Sequence, residues 1–148
     1  MGEFTRKEII ILINAASKIR LAGVDLSNEN LARLDFEGAN MRGAVLQETN
    51  LQEGILRNTN MTGVNMLATK AAYADFANAT LTGANMTLAS LQGARLTNAI
   101  LSNANLSGAN LQGANLKGAK VDGVKFDAGT TWPDGKKGSA GVPSSYTV

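Results

Sequence analysis

The chain has 148 residues, with 14 Lys and Arg against 12 Asp and Glu, no His and no Cys, for a formal charge of +2. That length holds one ordinary domain, and the missing Cys and His exclude disulfides, Cys/His zinc sites, thiolate nucleophiles and imidazole general bases. The charge is nearly balanced and free of long like-charge blocks, so neither a nucleic-acid arm nor an acidic tail is indicated.

Taken in chain order, the first element is a helix. Thr5 and Glu8 are spaced as a capping box, Ile9, Leu12, Ile13, Ala16 and Ile19 fall on one helical stripe, and Gly23 follows as a stop. The expectation is a capping segment over residues 1–23, helical from about Arg6 to Arg20, with Ile9, Leu12 and Ile13 turned onto the body of the protein. The apolar run Ile9 to Ile13 falls far short of the roughly 18 residues a membrane span needs, and no cleavage pattern follows it. A cytoplasmic chain with no membrane partner is expected.

From Leu26 to Phe126 a large apolar residue recurs at every fifth position, without insertion, 21 times in phase; only Ala71 departs. Leu26, Phe36, Leu46, Leu56, Met66, Phe76, Met86, Leu96, Leu106, Leu116 and Phe126 are therefore assigned to the core. Two residues before each runs a second series, Ala in twelve of the 21 units and mostly Val or Thr in the others. A five-residue step advances an α-helix by ~500°, which leaves no common stripe, and in a straight strand an odd step flips the side chain to the opposite face. The chain must turn once per unit, and Gly at positions such as Gly43, Gly83, Gly93, Gly108, Gly113 and Gly118 suits such a corner.

Ala84-Asn85-Met86, Ala104-Asn105-Leu106 and the run from Ala109 to Lys117 resemble the pentapeptide-repeat family, whose consensus is A(D/N)Lxx, and in particular its short cyanobacterial members. The resemblance implies an all-β fold, a right-handed quadrilateral β-helix of about five coils over residues 24–128, each coil taking four units. A twenty-residue coil sets residue n beside n + 20, which brings Glu37 to Arg57, Arg33 to Glu53 and Asp75 to Arg95, all of opposite sign. The missing bulk at Ala71 predicts a local bulge through Tyr73.

Past the repeats, Thr131-Trp132-Pro133-Asp134-Gly135 carries the only Trp and a turn signal, so residues 129–135 are expected as a C-terminal cap with Trp132 as its plug. Residues 136–148, rich in Gly, Ser and Lys, are expected as a flexible tail.

Function is expected on the outside. Inward Ala, Leu, Met and Phe leave no polar pocket, so no enzymatic activity, cofactor or metal is expected. The lysines near residue 136 lack Walker A spacing. Nucleic acid is not an expected direct partner, because Arg95, Lys117, Lys120 and Lys125 are spread out without aromatic interleaving. Val45, Leu67 and Leu88 break the polar rule at outward positions, and the twenty-residue coil sets them diagonally along one face. They are the candidate contact for a protein partner of unknown identity, the chain itself being a monomer or weak dimer. The resemblance implies an alternative, since some family members inhibit or protect DNA gyrase by imitating duplex DNA. Nine acidic and eight basic residues between Val24 and Ala128 give a mimic little negative charge to present.

Overall fold

The computed structural model describes residues 2–148. Parallel bridges join residue n to n + 20 throughout, which makes each coil twenty residues long with four sides. The first face stacks Arg20, Asn40, Asn60, Thr80, Ile100 and Lys120; the second, Asp25, Val45, Asn65, Asn85, Asn105 and Lys125. The third stacks Asn30, Asn50, Lys70, Ser90, Asn110 and Thr131, and the fourth Asp35, Ile55, Asp75, Arg95 and Asn115. A single extra residue enters before Thr131, where the step from Asn110 becomes 21.

One unit shows why the repeat reads as it does. Asn85 N–H donates to the preceding coil at Val64 O (2.9 Å), while Met86 and Leu88 N–H donate to the following coil at Asn105 O (2.8 Å) and Ser107 O (2.9 Å). Ala89 N–H closes the corner on Met86 O (3.1 Å). The fifth donor, Thr87 N–H, has no backbone partner and is taken by Asn85 Oδ1 (3.1 Å). Asp or Asn in the second place of the unit thus satisfies an amide that the ladder leaves over. The same bond recurs from Ser27 N–H to Asp25 Oδ1 and from Ser107 N–H to Asn105 Oδ1.

The last place of the unit takes a left-handed backbone at every corner from Gly23 to Gly123, in Gly and non-Gly residues alike. At Gly113, φ is +71° and an added Cβ would meet nothing closer than 3.9 Å. Gly113→Ala therefore isolates the backbone cost and is expected to lower stability by about 1 kcal/mol, to be read from urea denaturation.

The inward Leu, Met, Phe and Ala form one continuous buried column. Buried hydroxyls on it are satisfied by carbonyls, as in Thr49 to Leu26 O (2.7 Å) and Thr69 to Leu46 O (2.6 Å). Among the described residues no charged side chain is buried in that column.

Five expectations are corrected. The helix α1 spans Arg6–Ala15 and stops well short of Arg20. Its capping box is present, with Ile9 buried and Leu12 and Ile13 packed beside it. The solenoid starts a unit before Val24: Ile19 and Leu21 are buried in phase and Gly23 is the first left-handed corner, so Ile19 belongs to the coil rather than the helix. No bulge occurs at Ala71; Ala71 N–H meets Ser90 O at 2.8 Å and Tyr73 N–H meets Gln92 O at 2.9 Å, in the regular register. Phe76, the next inward residue of that coil, is fully buried and offers the bulk that Ala71 lacks. Phe126 is only half-buried, because no further coil covers the last one. Finally, the segment expected as a flexible tail packs back onto the column: Tyr146 stacks on Trp132 at 5.7 Å, its hydroxyl donates to Asp134 (2.9 Å), and Gly118 N–H donates to Thr147 O (2.7 Å).

Candidate interaction surface

With the interior filled, any chemistry lies on the four faces and the corners between them. The carboxyls of Glu8 and Asp25 are both held below the ordinary range, Glu8 by the Thr5 amide and hydroxyl and Asp25 by the Ser27 hydroxyl and amide. Such bonds fix a carboxylate in its ionised form, the reverse of what a general acid needs. Among the described residues no group of three acidic side chains is arranged to hold a metal ion. No described helix is long and apolar enough to cross a membrane.

All three ion pairs expected from the twenty-residue coil are formed. Arg33 meets Glu53 at 3.1 Å, Arg57 meets Glu37 at 3.2 Å, and Arg95 meets Asp75 at 3.6 Å. Arg57 also reaches Asp75 at 3.7 Å, so Glu37, Arg57, Asp75 and Arg95 form one alternating ladder along the fourth side. Exposed pairs of this kind contribute about 0–1 kcal/mol each. Their consequence here is electrostatic: charge is cancelled from coil to coil, and no face carries a continuous acidic stripe. Asp25 stands on the second face, Asp35 and Asp75 on the fourth, and Glu48 and Glu53 at different corners of the third.

The three outward apolar residues do not share a face. Val45 is a rung of the second face and half-buried; Leu67 is the first residue of the corner that follows, also half-buried. Leu88 is the left-handed residue of that same corner one coil further on, and it is 62% exposed. The line from Val45 to Leu88 therefore bends round an edge of the column.

The partner of Leu88 on the surface is Tyr73, 66% exposed. Leu88 and Tyr73 occupy the two corners that bound the third face, in neighbouring coils, with the rungs Lys70 and Ser90 between them. Both are left-handed, with φ of +59°. The other left-handed non-Gly residues are Asn, charged, or Ala68, so Tyr73 and Leu88 are the two large apolar side chains at corner positions that disfavour them. Each lies over a glycine of the next coil. A Cβ on Gly93 would fall 2.4 Å from the Tyr73 ring, and one on Gly108 would fall 2.6 Å from a Leu88 methyl. Sequence reasoning noticed Tyr73 only as part of an irregular unit; the usable signal was a large apolar residue in the fifth place with Gly twenty residues later.

A family model of pentapeptide repeats, in 8 copies, matches residues 19–58, 56–87 and 89–127. A solved pentapeptide repeat protein from the cyanobacterium Cyanothece 51142 is 27% identical, with a TM-score of 0.77 over 83% of this chain and 96% of its own. Another, from the thylakoid lumen of Arabidopsis thaliana, is 24% identical with a TM-score of 0.53, covering 86% of this chain and 72% of its own. No curated protein matches the chain.

Proposed function

The chain belongs to the pentapeptide repeat family, and we propose that it works as a non-enzymatic protein-binding or scaffold module. In this reading the column is a right-handed four-sided solenoid of about five coils whose outer surface meets a protein partner. The observation that supports it most is the pair of exposed, left-handed apolar corners, Tyr73 and Leu88, on either side of the third face. A large side chain in that conformation costs on the order of 1 kcal/mol relative to glycine. Two such residues bounding one face, each seated over a glycine, suit an anchoring role better than drift. Leu67 on the Leu88 corner belongs to the same surface, whereas Val45 lies round the edge.

The gyrase-directed alternative needs an acidic stripe to stand in for a phosphate backbone. The alternating ladder on the fourth side and the scattered acids elsewhere work against it.

Cross-linked capture from a lysate of the source cell tests the proposal. The wild-type chain and Val45→Ser are expected to retain the same protein, and the Leu67→Ser, Tyr73→Ser, Leu88→Ser variant to lose it with its circular dichroism unchanged. Equal capture by the triple variant would remove this surface from the account, and recovery of gyrase subunits would restore the inhibitor reading.

A further inference from the structure

The two ends of the column are finished differently. At the N-terminal end Glu3 N–H donates to Asp25 O (2.6 Å), the Arg6 guanidinium donates to Asn30 O (2.9 Å) and Ala32 O (3.0 Å), and α1 packs alongside. At the C-terminal end the returning segment passes over Ala128 and Trp132 and makes backbone hydrogen bonds to the column at two places. It pairs antiparallel at the end of the third face, Thr131 with Lys137, and reaches the corner at Gly118 through Thr147. The last rungs of the first and second faces, residues 119–126, stay open.

That edge repeats the ladder's own donor pattern. In the coil before, Leu101, Asn103 and Leu106 N–H donate to Lys120, Asp122 and Lys125 O at 2.7, 2.8 and 2.7 Å. Their counterparts one coil on, Val121, Gly123 and Phe126 N–H, have no acceptor among the described residues, and the carbonyls of Ala119 and Val124 have no donor among them. Val121, Val124 and Phe126 are half-buried beside them, and the edge runs into a cleft of about 290 Å³ between Phe126–Ala128 and Lys137–Ser139. An unpaired edge flanked by apolar side chains is a template for another strand.

Charge selects which strand. Lys117, Lys120 and Lys125 are exposed around this end and none is in an ion pair. The nearby acids are Asp122 and Asp127, the latter turned onto the Gly108 and Gly129 amides, both at 2.9 Å, so the three lysines outnumber the two carboxylates. A second copy docking end to end would bring two such lysine sets together, and its N-terminal edge is already covered. We propose that residues 119–126 form a strand-addition site for an extended acidic segment of a partner protein. Its carbonyls accept from Val121, Gly123 and Phe126, its amides donate to Ala119 and Val124, and its outward carboxylates meet Lys120 and Lys125.

The site lies apart from Tyr73 and Leu88 and does not depend on their role. The test is amide hydrogen exchange on the full chain with three probes: an acetylated peptide of two Ala-Asp-Leu-Ser-Gly units, the same peptide with Lys for Asp, and polyglutamate. The Asp peptide is expected to slow exchange at Val121, Gly123 and Phe126 by about tenfold or more, in the Tyr73→Ser, Leu88→Ser variant as well. In Lys120→Glu, Lys125→Glu, which alters exposed residues only, the preference should pass to the Lys peptide. No protection at millimolar peptide, equal protection by both peptides, protection by polyglutamate, or burial of these amides by self-association in sedimentation would each overturn the proposal.

Discussion

Replacing Trp132 by Ala is expected to lower the free energy of unfolding by about 3–5 kcal/mol, the largest loss from any single change at the ends of this protein. The indole is fully buried, meets Phe126 edge-on at 5.2 Å, and lies under Tyr146 in near-parallel stacking. Its Nε1–H donates to Gly138 O at 2.8 Å, a buried hydrogen bond that truncation also removes. The segment after it can cross the ring only because residue 141 is Gly; a Cβ there would sit 2.2 Å from Trp132 Cδ1. Since each coil of a solenoid is held by its neighbours, the damage should spread from this end. The Leu111 and Gly113 amides, which donate to Thr131 O (2.8 Å) and Pro133 O (2.9 Å), should lose hydrogen-exchange protection first. Urea denaturation followed by circular dichroism gives the magnitude. A loss below about 1 kcal/mol would mean that the plug does not hold the last coil.

Phe76→Ala is expected to cost a similar ~3–5 kcal/mol, for a reason specific to its coil. The inward residues of that coil are Met61, Met66, Ala71 and Phe76, where the coil before has Leu51 and Leu56 and the coil after has Leu91 and Leu96 in the last two places. A small and a large residue thus replace two medium ones, and removing the ring leaves two alanines side by side with nothing to fill the space. Ala71→Leu alone overfills the coil and should cost about 1–3 kcal/mol. Ala71→Leu with Phe76→Leu reproduces the neighbouring coils and should cost less than ~1.5 kcal/mol, far from additive. Additive losses across this cycle would show that the two side chains do not share volume.

Much of the architecture was legible because the repeat solves its local problems with composition. The large apolar residue at every fifth position, the Asp or Asn that takes up the spare amide and the Gly at the left-handed corner all leave marks in the sequence, and the oppositely charged residues twenty apart meet as expected. The start of the solenoid was not legible, because Ile19 fits both the stripe of α1 and the phase of the repeat; the end of α1 at Ala15 and the bridge from Arg20 to Asn40 decide between them. The last thirteen residues were misread for a different reason. Gly, Ser and Pro look flexible by composition, yet here Gly138 and Gly141 allow close passage over Ala128 and Trp132. The surface was partly legible: Leu88 stands out in the sequence, but its pairing with Tyr73 across the third face exists only once the coil closes, and Val45 turns away on another side.

A partner that meets the corners bounding the third face should be visible in hydrogen exchange on the chain alone and in complex with the protein it captures. Slower exchange confined to the corner amides of Leu67, Ala68, Ala72, Tyr73, Leu88 and Gly93 is the expected result. Protection that leaves those amides unchanged and falls only on other faces of the column would contradict it.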